Sequence, residues 1–95
     1  MPVPFAVRIT PRFKRLFKHL LNHHSEMTSR YDKVITALEA DPYNHTGQHD
    51  IKKLANVGPG EGQWRIRTGR FRFRYDIYSR DVVLHSCGLR REDTY

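Results

Sequence analysis

Cysteine occurs once in the sequence, at Cys87. A lone cysteine excludes an intramolecular disulfide and a cysteine-based zinc centre, and it suits a reducing cytoplasm. Long apolar runs are missing too, none approaching the roughly 18 residues that a membrane-spanning helix needs. The first residues, MPVPFAVRIT, show no charged segment followed by an apolar one, so no secretory signal is expected. A soluble, cytoplasmic protein is the expectation.

Acidic residues are also scarce. Ten Asp and Glu stand against 17 Lys and Arg, for a formal net charge of +7. In a small domain that balance points to an anionic partner such as nucleic acid, an acidic protein or a membrane surface. With 95 residues, the chain reads as a single domain, 1–95, with room for one core but not for a spacious buried active site. Chemistry is expected on an open face. Neither a repeat nor a low-complexity segment interrupts the chain.

What is present is organised by period. In FAVRIT, Phe5, Val7 and Ile9 alternate with Ala6, Arg8 and Thr10, as in a strand with one buried face. Thr10 before Pro11 signals a helix start. Phe13, Leu16, Phe17, Leu20 and Leu21 then share one helical face, with Lys14, Arg15, Lys18 and His19 outside it. That apolar stripe is needed to cover a sheet, which disfavours reading the helix as a membrane-surface amphipath. NHHS breaks the pattern, Ser25 offers a second cap, and Met27, Tyr31, Val34, Ile35 and Leu38 form another stripe that stops near Asp41-Pro42. Residues 42 to 62 read as a long loop, anchored by Ile51 and Leu54 around Lys52 and Lys53.

The stretch QWRIRTGRFRFRYDI, residues 63 to 77, alternates arginine with apolar residues. A turn at Thr68-Gly69 would pair Ile66 with Phe71 and Trp64 with Phe73 on a packing face. The same register sets Arg65 opposite Arg72 and Arg67 opposite Arg70, with Arg74 further along. Like charges directly opposed destabilise a sheet by up to about 1 kcal/mol per pair, so an anion is expected to offset them. A second hairpin turning near Ser79-Arg80 pairs Ile77 with Val82 and Tyr75 with Leu84. Val83, His85 and Cys87 then join the arginine face, conditional on register, since a one-residue slip reverses the faces.

The expected order is β-α-α-β-β-β, an α+β two-layer sandwich with a helical hairpin on one face of a mainly antiparallel sheet and the other face bare and basic. One exposed arginine is ordinary solvated charge, but several in register with Arg90 and Arg91 favour an anion-binding face. Tyr78, on that face by alternation, is a candidate for base stacking as well as an ordinary edge tyrosine. His19 and His23, like His45 and His49, are spaced i, i+4, yet no third ligand accompanies either pair and no metal is expected. Cys87 lacks the partners of a nucleophile and reads as a small strand residue.

RIRTGRFRFRY (Arg65 to Tyr75) and the tail GLRREDTY together resemble the motifs of the RelE/ParE toxin superfamily of toxin–antitoxin modules. The element order and the KKL before the hairpin agree with it. The resemblance implies a toxin held inactive by a cognate antitoxin, with no cofactor. For the RelE-like branch it implies a metal-independent endoribonuclease that cuts messenger RNA at the ribosome, the 2′-hydroxyl attacking the adjacent phosphate. By motif position Arg65, Arg67, Arg72, Arg90 and Tyr95 are the implied catalytic set, with His85 conditional. Lys52, Lys53, Arg70, Arg74, Arg91 and Tyr78 are expected to bind RNA. Arginines clamp phosphate but accept protons poorly, so His85, then Glu61 and Glu92, are the candidate bases. The other readings left open are a ParE-like inhibitor of DNA gyrase and an inactive RNA-binding relative.

Overall fold

A computed structural model of the chain describes residues 4–89. Strand β1 (Ala6–Ile9) leads directly into helix α1 (Pro11–His23) through Thr10. The Thr10 N–H donates to Leu84 O at 3.1 Å, and its Oγ1 accepts from Phe13 N at 3.0 Å. One residue thus ends the strand and satisfies an otherwise orphaned donor of the helix. Phe13 is buried as a result, its ring centroid 6.0 Å from Tyr31 and 6.1 Å from Phe73.

Helix α2 (Met27–Ala40) does not use Ser25 as its cap. Glu26 holds the cap position without a side-chain bond, and the backbone closes the turn instead, Met27 N donating to His24 O at 3.0 Å. The helix stops at Asp41 because the residue before a proline is driven out of the helical region. The two helices bury Phe13 and Leu20, and Met27, Val34 and Leu38, against the sheet. Each such side chain is worth about 1.5–3 kcal/mol of transfer free energy.

The expected α+β class is the observed one, with an additional edge strand. Among the described residues the sheet has five strands in the order β1-β5-β4-β3-β2, with β1 parallel to β5 and all other neighbours antiparallel. The extra strand, β2 (Ile51–Lys53), lies within the segment read as loop and pairs with β3 (Trp64–Thr68). Three residues with a single apolar side chain carry no readable period. Its formation is decided by Ile51 pairing with Ile66 and by Leu54 N donating to Gln63 O at 2.8 Å.

The β3–β4 hairpin, with β4 spanning Phe71–Tyr78, turns two residues away from the expected register. Its loop is Gly69-Arg70, with Gly69 at φ +58°, the left-handed backbone that a two-residue hairpin loop requires. Arg67 therefore opposes Arg72 and Arg65 opposes Arg74, while Arg70 leaves the row. An even shift preserves the faces. Ile66, Phe71, Phe73 and Tyr75 remain in the core as expected.

The β4–β5 hairpin, with β5 spanning Asp81–Leu89, starts in the expected register, Ile77 opposite Val82 and Tyr75 opposite Leu84. It then bulges. Arg74 pairs with Ser86 and Phe73 with Cys87, leaving His85 as the extra residue. Cys87 is consequently turned into the core rather than onto the arginine face, a correction that follows from one inserted residue reversing the alternation. Among the described residues, no helix is long and apolar enough to cross a membrane.

Candidate functional site

The face of the sheet away from the helices is built from cross-strand rows. Lys52, Arg65, Arg74 and Ser86 are successive partners across β2, β3, β4 and β5, and Arg67, Arg72 and Gly88 form the next row. The hairpin thus brings Arg65, Arg67, Arg72 and Arg74 together with Lys52. Lys53 points to the other side, its Nζ 5.7 Å from the Trp64 ring centroid. Tyr78 lies at the far end of β4, 44% exposed. Arg90, Arg91, Glu92 and Tyr95 lie outside the described residues.

Part of the opposition of like charges is answered within the chain. Asp50 receives Arg67 through Nε at 3.0 Å and a guanidinium NH2 at 3.4 Å, and its Oδ1 stands 3.6 Å from Arg65. Arg74 donates through both Nε and NH2 to Gly62 O, at 3.1 and 2.9 Å. Arg70 is drawn away at the hairpin tip, 2.6 Å from Glu26 Oε1 and 2.9 Å from His24 Nδ1. Its side chain braces the turn against the helical layer instead of extending the row.

Arg74 separates two clefts. One, of about 270 Å³, is lined by Arg12, Arg72, Arg74, Ser86 and Gly88 over Leu16 and Cys87. Gly88 contributes open space there, since a Cβ would meet nothing within 4 Å. The other, of about 390 Å³, lies between Arg74 and the Lys52–Val57 segment. Three guanidinium groups around a cleft with no acidic residue among its described lining suit a phosphate, which arginine holds through paired N–H donors. Arg12 was not picked out in the sequence because it lies outside the apolar stripe of α1. Its signal is its place in the first helical turn, beside the end of β5.

Asp76 was also missed. It is the acidic member of the strand face that carries Arg72 and Arg74, and it is 1% exposed. Its Oδ2 accepts from Gly60 N and Gly62 N, both at 3.0 Å, and its Oδ1 from Gln63 N at 2.9 Å. These bonds lay the glycine-rich segment along the rim of the basic face. The bulge places His85 over the same carboxylate, Nε2 at 2.8 Å from Oδ2. Glu61 turns back on its own loop, its Oε2 accepting from Gly58 N at 3.0 Å.

On the helical side, Asp41 organises the turn after α2. Burial alone would raise its carboxyl, but the Thr46 hydroxyl, the Thr46 and His45 backbone N–H groups and nearby His49 outweigh burial and hold it below the usual carboxylate range. His45 and His49 are thereby tied to a structural turn. Burial likewise pushes the Cys87 thiol up to about 12, so it stays protonated and inert at neutral pH.

No family model and no curated protein matches the sequence. Solved structures do match. A chain of the toxin–antitoxin complex RelBE2 from Mycobacterium tuberculosis superposes with a TM-score of 0.70 at 22% identity, over 93% of this chain and 100% of that one. A chain of the RelB–RelE antitoxin–toxin complex from Methanococcus jannaschii does so with a TM-score of 0.65 at 19% identity, over 90% and 92%. The resemblance carried by the hairpin motif therefore extends to the backbone, and this chain has the RelE-like α+β fold found in RelBE toxin–antitoxin complexes.

Proposed function

We propose that the protein is the toxin of a toxin–antitoxin module and that its basic face binds messenger RNA at the ribosome and cleaves it. The observation that carries this reading is the pair of rows, Lys52, Arg65, Arg74 and Arg67, Arg72, on the sheet face that the helices leave uncovered. Such a face fits a single strand whose phosphates lie along the arginines. The antitoxin that silences it is then an acidic segment covering the same face.

In this reading the 2′-oxygen forms a bond to the adjacent phosphorus as its proton passes to a base on the face. The P–O5′ bond breaks with its electron pair remaining on O5′, which takes a proton from an acid. The products are a 2′,3′-cyclic phosphate and a 5′-hydroxyl. Charge grows on the non-bridging oxygens in the transition state, where Arg72 at the cleft is suited to stabilise it. Arg90 and Tyr95 keep the roles that the motif resemblance implies.

The test is to induce the protein in cells and map messenger 5′ ends in parallel with DNA supercoiling. Codon-phased cuts that appear quickly, and that fall by about 100-fold or more in a folded Arg72→Ala variant, support the reading. Intact messages with gyrase-dependent DNA damage would overturn it in favour of a gyrase inhibitor. Binding of RNA without cutting would mark an inactive relative.

A further inference from the structure

The basic face has many phosphate clamps, and of its described groups that could accept a proton, Asp50 is engaged by Arg65 and Arg67 and Asp76 by three backbone N–H groups, which leaves the His85 imidazole. Arginine stays protonated throughout the physiological range, whereas imidazole exchanges a proton readily. His85 lies on this face at the bulge, which moves it out of the place opposite Arg74. In an unbroken register it would take the place opposite Arg74 and leave Ser86 facing the core. The inserted residue instead puts His85 and Ser86 on the basic side and returns Cys87 to the interior.

The neighbour of the ring decides which nitrogen is basic. Three backbone N–H groups already donate into Asp76, so this carboxylate acts as an acceptor, and a further polar group beside it must present a hydrogen. His85 Nε2 is that group, at 2.8 Å. Nε2 is buried, and at 2.8 Å its N–H is too poorly aligned with the oxygen to count as a hydrogen bond, a misalignment common in catalytic sites without substrate. The ring is 19% exposed, so its access to solvent lies away from Nε2. We infer that Asp76 is a positioning residue that holds His85 as the Nε2–H tautomer, leaving the Nδ1 lone pair to take the 2′-hydroxyl proton during RNA cleavage.

The inference rests on the ribonuclease reading above and adds the base that the arginines cannot supply. It also gives the glycine-rich segment a part. The peptide between Gly62 and Gln63 offers Gly62 O to Arg74 and donates Gln63 N–H to Asp76, so one peptide links the positioning carboxylate to a phosphate-clamping arginine. Arg74 and Asp76 are the charged groups that flank His85 on β4. On β1–α1 its neighbour is the neutral Thr10, whose hydroxyl donates to His85 O at 3.4 Å.

Two measurements test this on the full chain. Nitrogen-15 NMR of the histidine rings, with His85 assigned by its loss in His85→Ala, reads the tautomer whether or not RNA is cut, and Nε2–H is expected. Single-turnover cleavage of ribosome-bound message should fall by about 100-fold or more in His85→Ala with binding unchanged, and added imidazole should restore part of the rate. Asp76→Asn should slow cleavage and abolish the tautomer preference, with thermal melts confirming that each variant folds. An Nδ1–H ring, or His85→Ala cutting as fast as wild type, overturns the assignment while the ribonuclease reading stands. A wild-type protein that cuts no message overturns both.

Discussion

Replacing Asp50 with asparagine removes a carboxylate set between two arginines of the basic rows while keeping its shape. Its backbone carbonyl, which accepts from Arg67 N at 3.0 Å, is untouched. Asp50 is 48% exposed and Arg67 31% exposed at the side chain, so solvent screens their contact to about 0.2–1 kcal/mol despite its two-point geometry. The Arg65 side chain is only 9% exposed, and its 3.6 Å approach to Asp50 is less screened. Without the carboxylate, the repulsions of Arg65 with Arg74 and of Arg67 with Arg72, each up to about 1 kcal/mol, are less well balanced. The expected loss is about 1–2 kcal/mol, which in a domain of this size lowers Tm by about 5–10 °C. Thermal melts of Asp50→Asn and wild type in dilute buffer measure it, and about 1 M salt, with a Debye length of about 3 Å, should close most of the gap. An unchanged Tm in dilute buffer would refute the claim that Asp50 offsets the paired arginines. A loss that persists in high salt would assign Asp50 a role in the turn instead.

Three further outcomes are expected. Tyr75→Phe removes the buried bond from the tyrosine hydroxyl to Pro42 O at 2.7 Å and leaves that carbonyl without its donor, so urea melts should show a loss of about 1–3 kcal/mol. Asp41 has a lowered folded pKa, so its stabilisation is fully present above the unfolded value of about 3.9 and is lost as pH falls through the lower folded value. Asp41→Asn should therefore be less stable than wild type at neutral pH, with the gap closing in acid denaturation series. Cys87, buried and with its thiol pushed up to about 12, should react with a disulfide reagent only as fast as the protein opens, so its labelling rate at mildly alkaline pH should rise with denaturant.

Much of the architecture was legible because local patterns agreed with tertiary packing. Thr10-Pro11 caps the first helix, the stripes of Phe13, Leu20, Val34 and Leu38 are buried, and the alternation in β3 and β4 separates core from arginines. The failures have a common character. Ser25 was passed over because a backbone bond closed the turn, and β2 is a strand only because β3 lies beside it. Hairpin register depends on which two residues close the loop, and a shift by two leaves the apolar pattern intact. Arg70 accordingly left the row for Glu26 with no sign in the hydrophobic period.

By itself the sequence determined the class of fold, the composition of the two sheet faces and the positive sign of the one turned away from the helices, because these follow from side-chain period and charge alone. Only the tertiary structure decided what stands beside each charge. It set Asp50 between Arg65 and Arg67, brought Arg12 from α1 to the cleft of Arg72 and Arg74, and through one bulge placed His85 over Asp76. The physical reason is range: period acts between neighbours along a strand, whereas Asp50 and Arg67, or Asp76 and Gly60, meet only after the chain has folded back on itself.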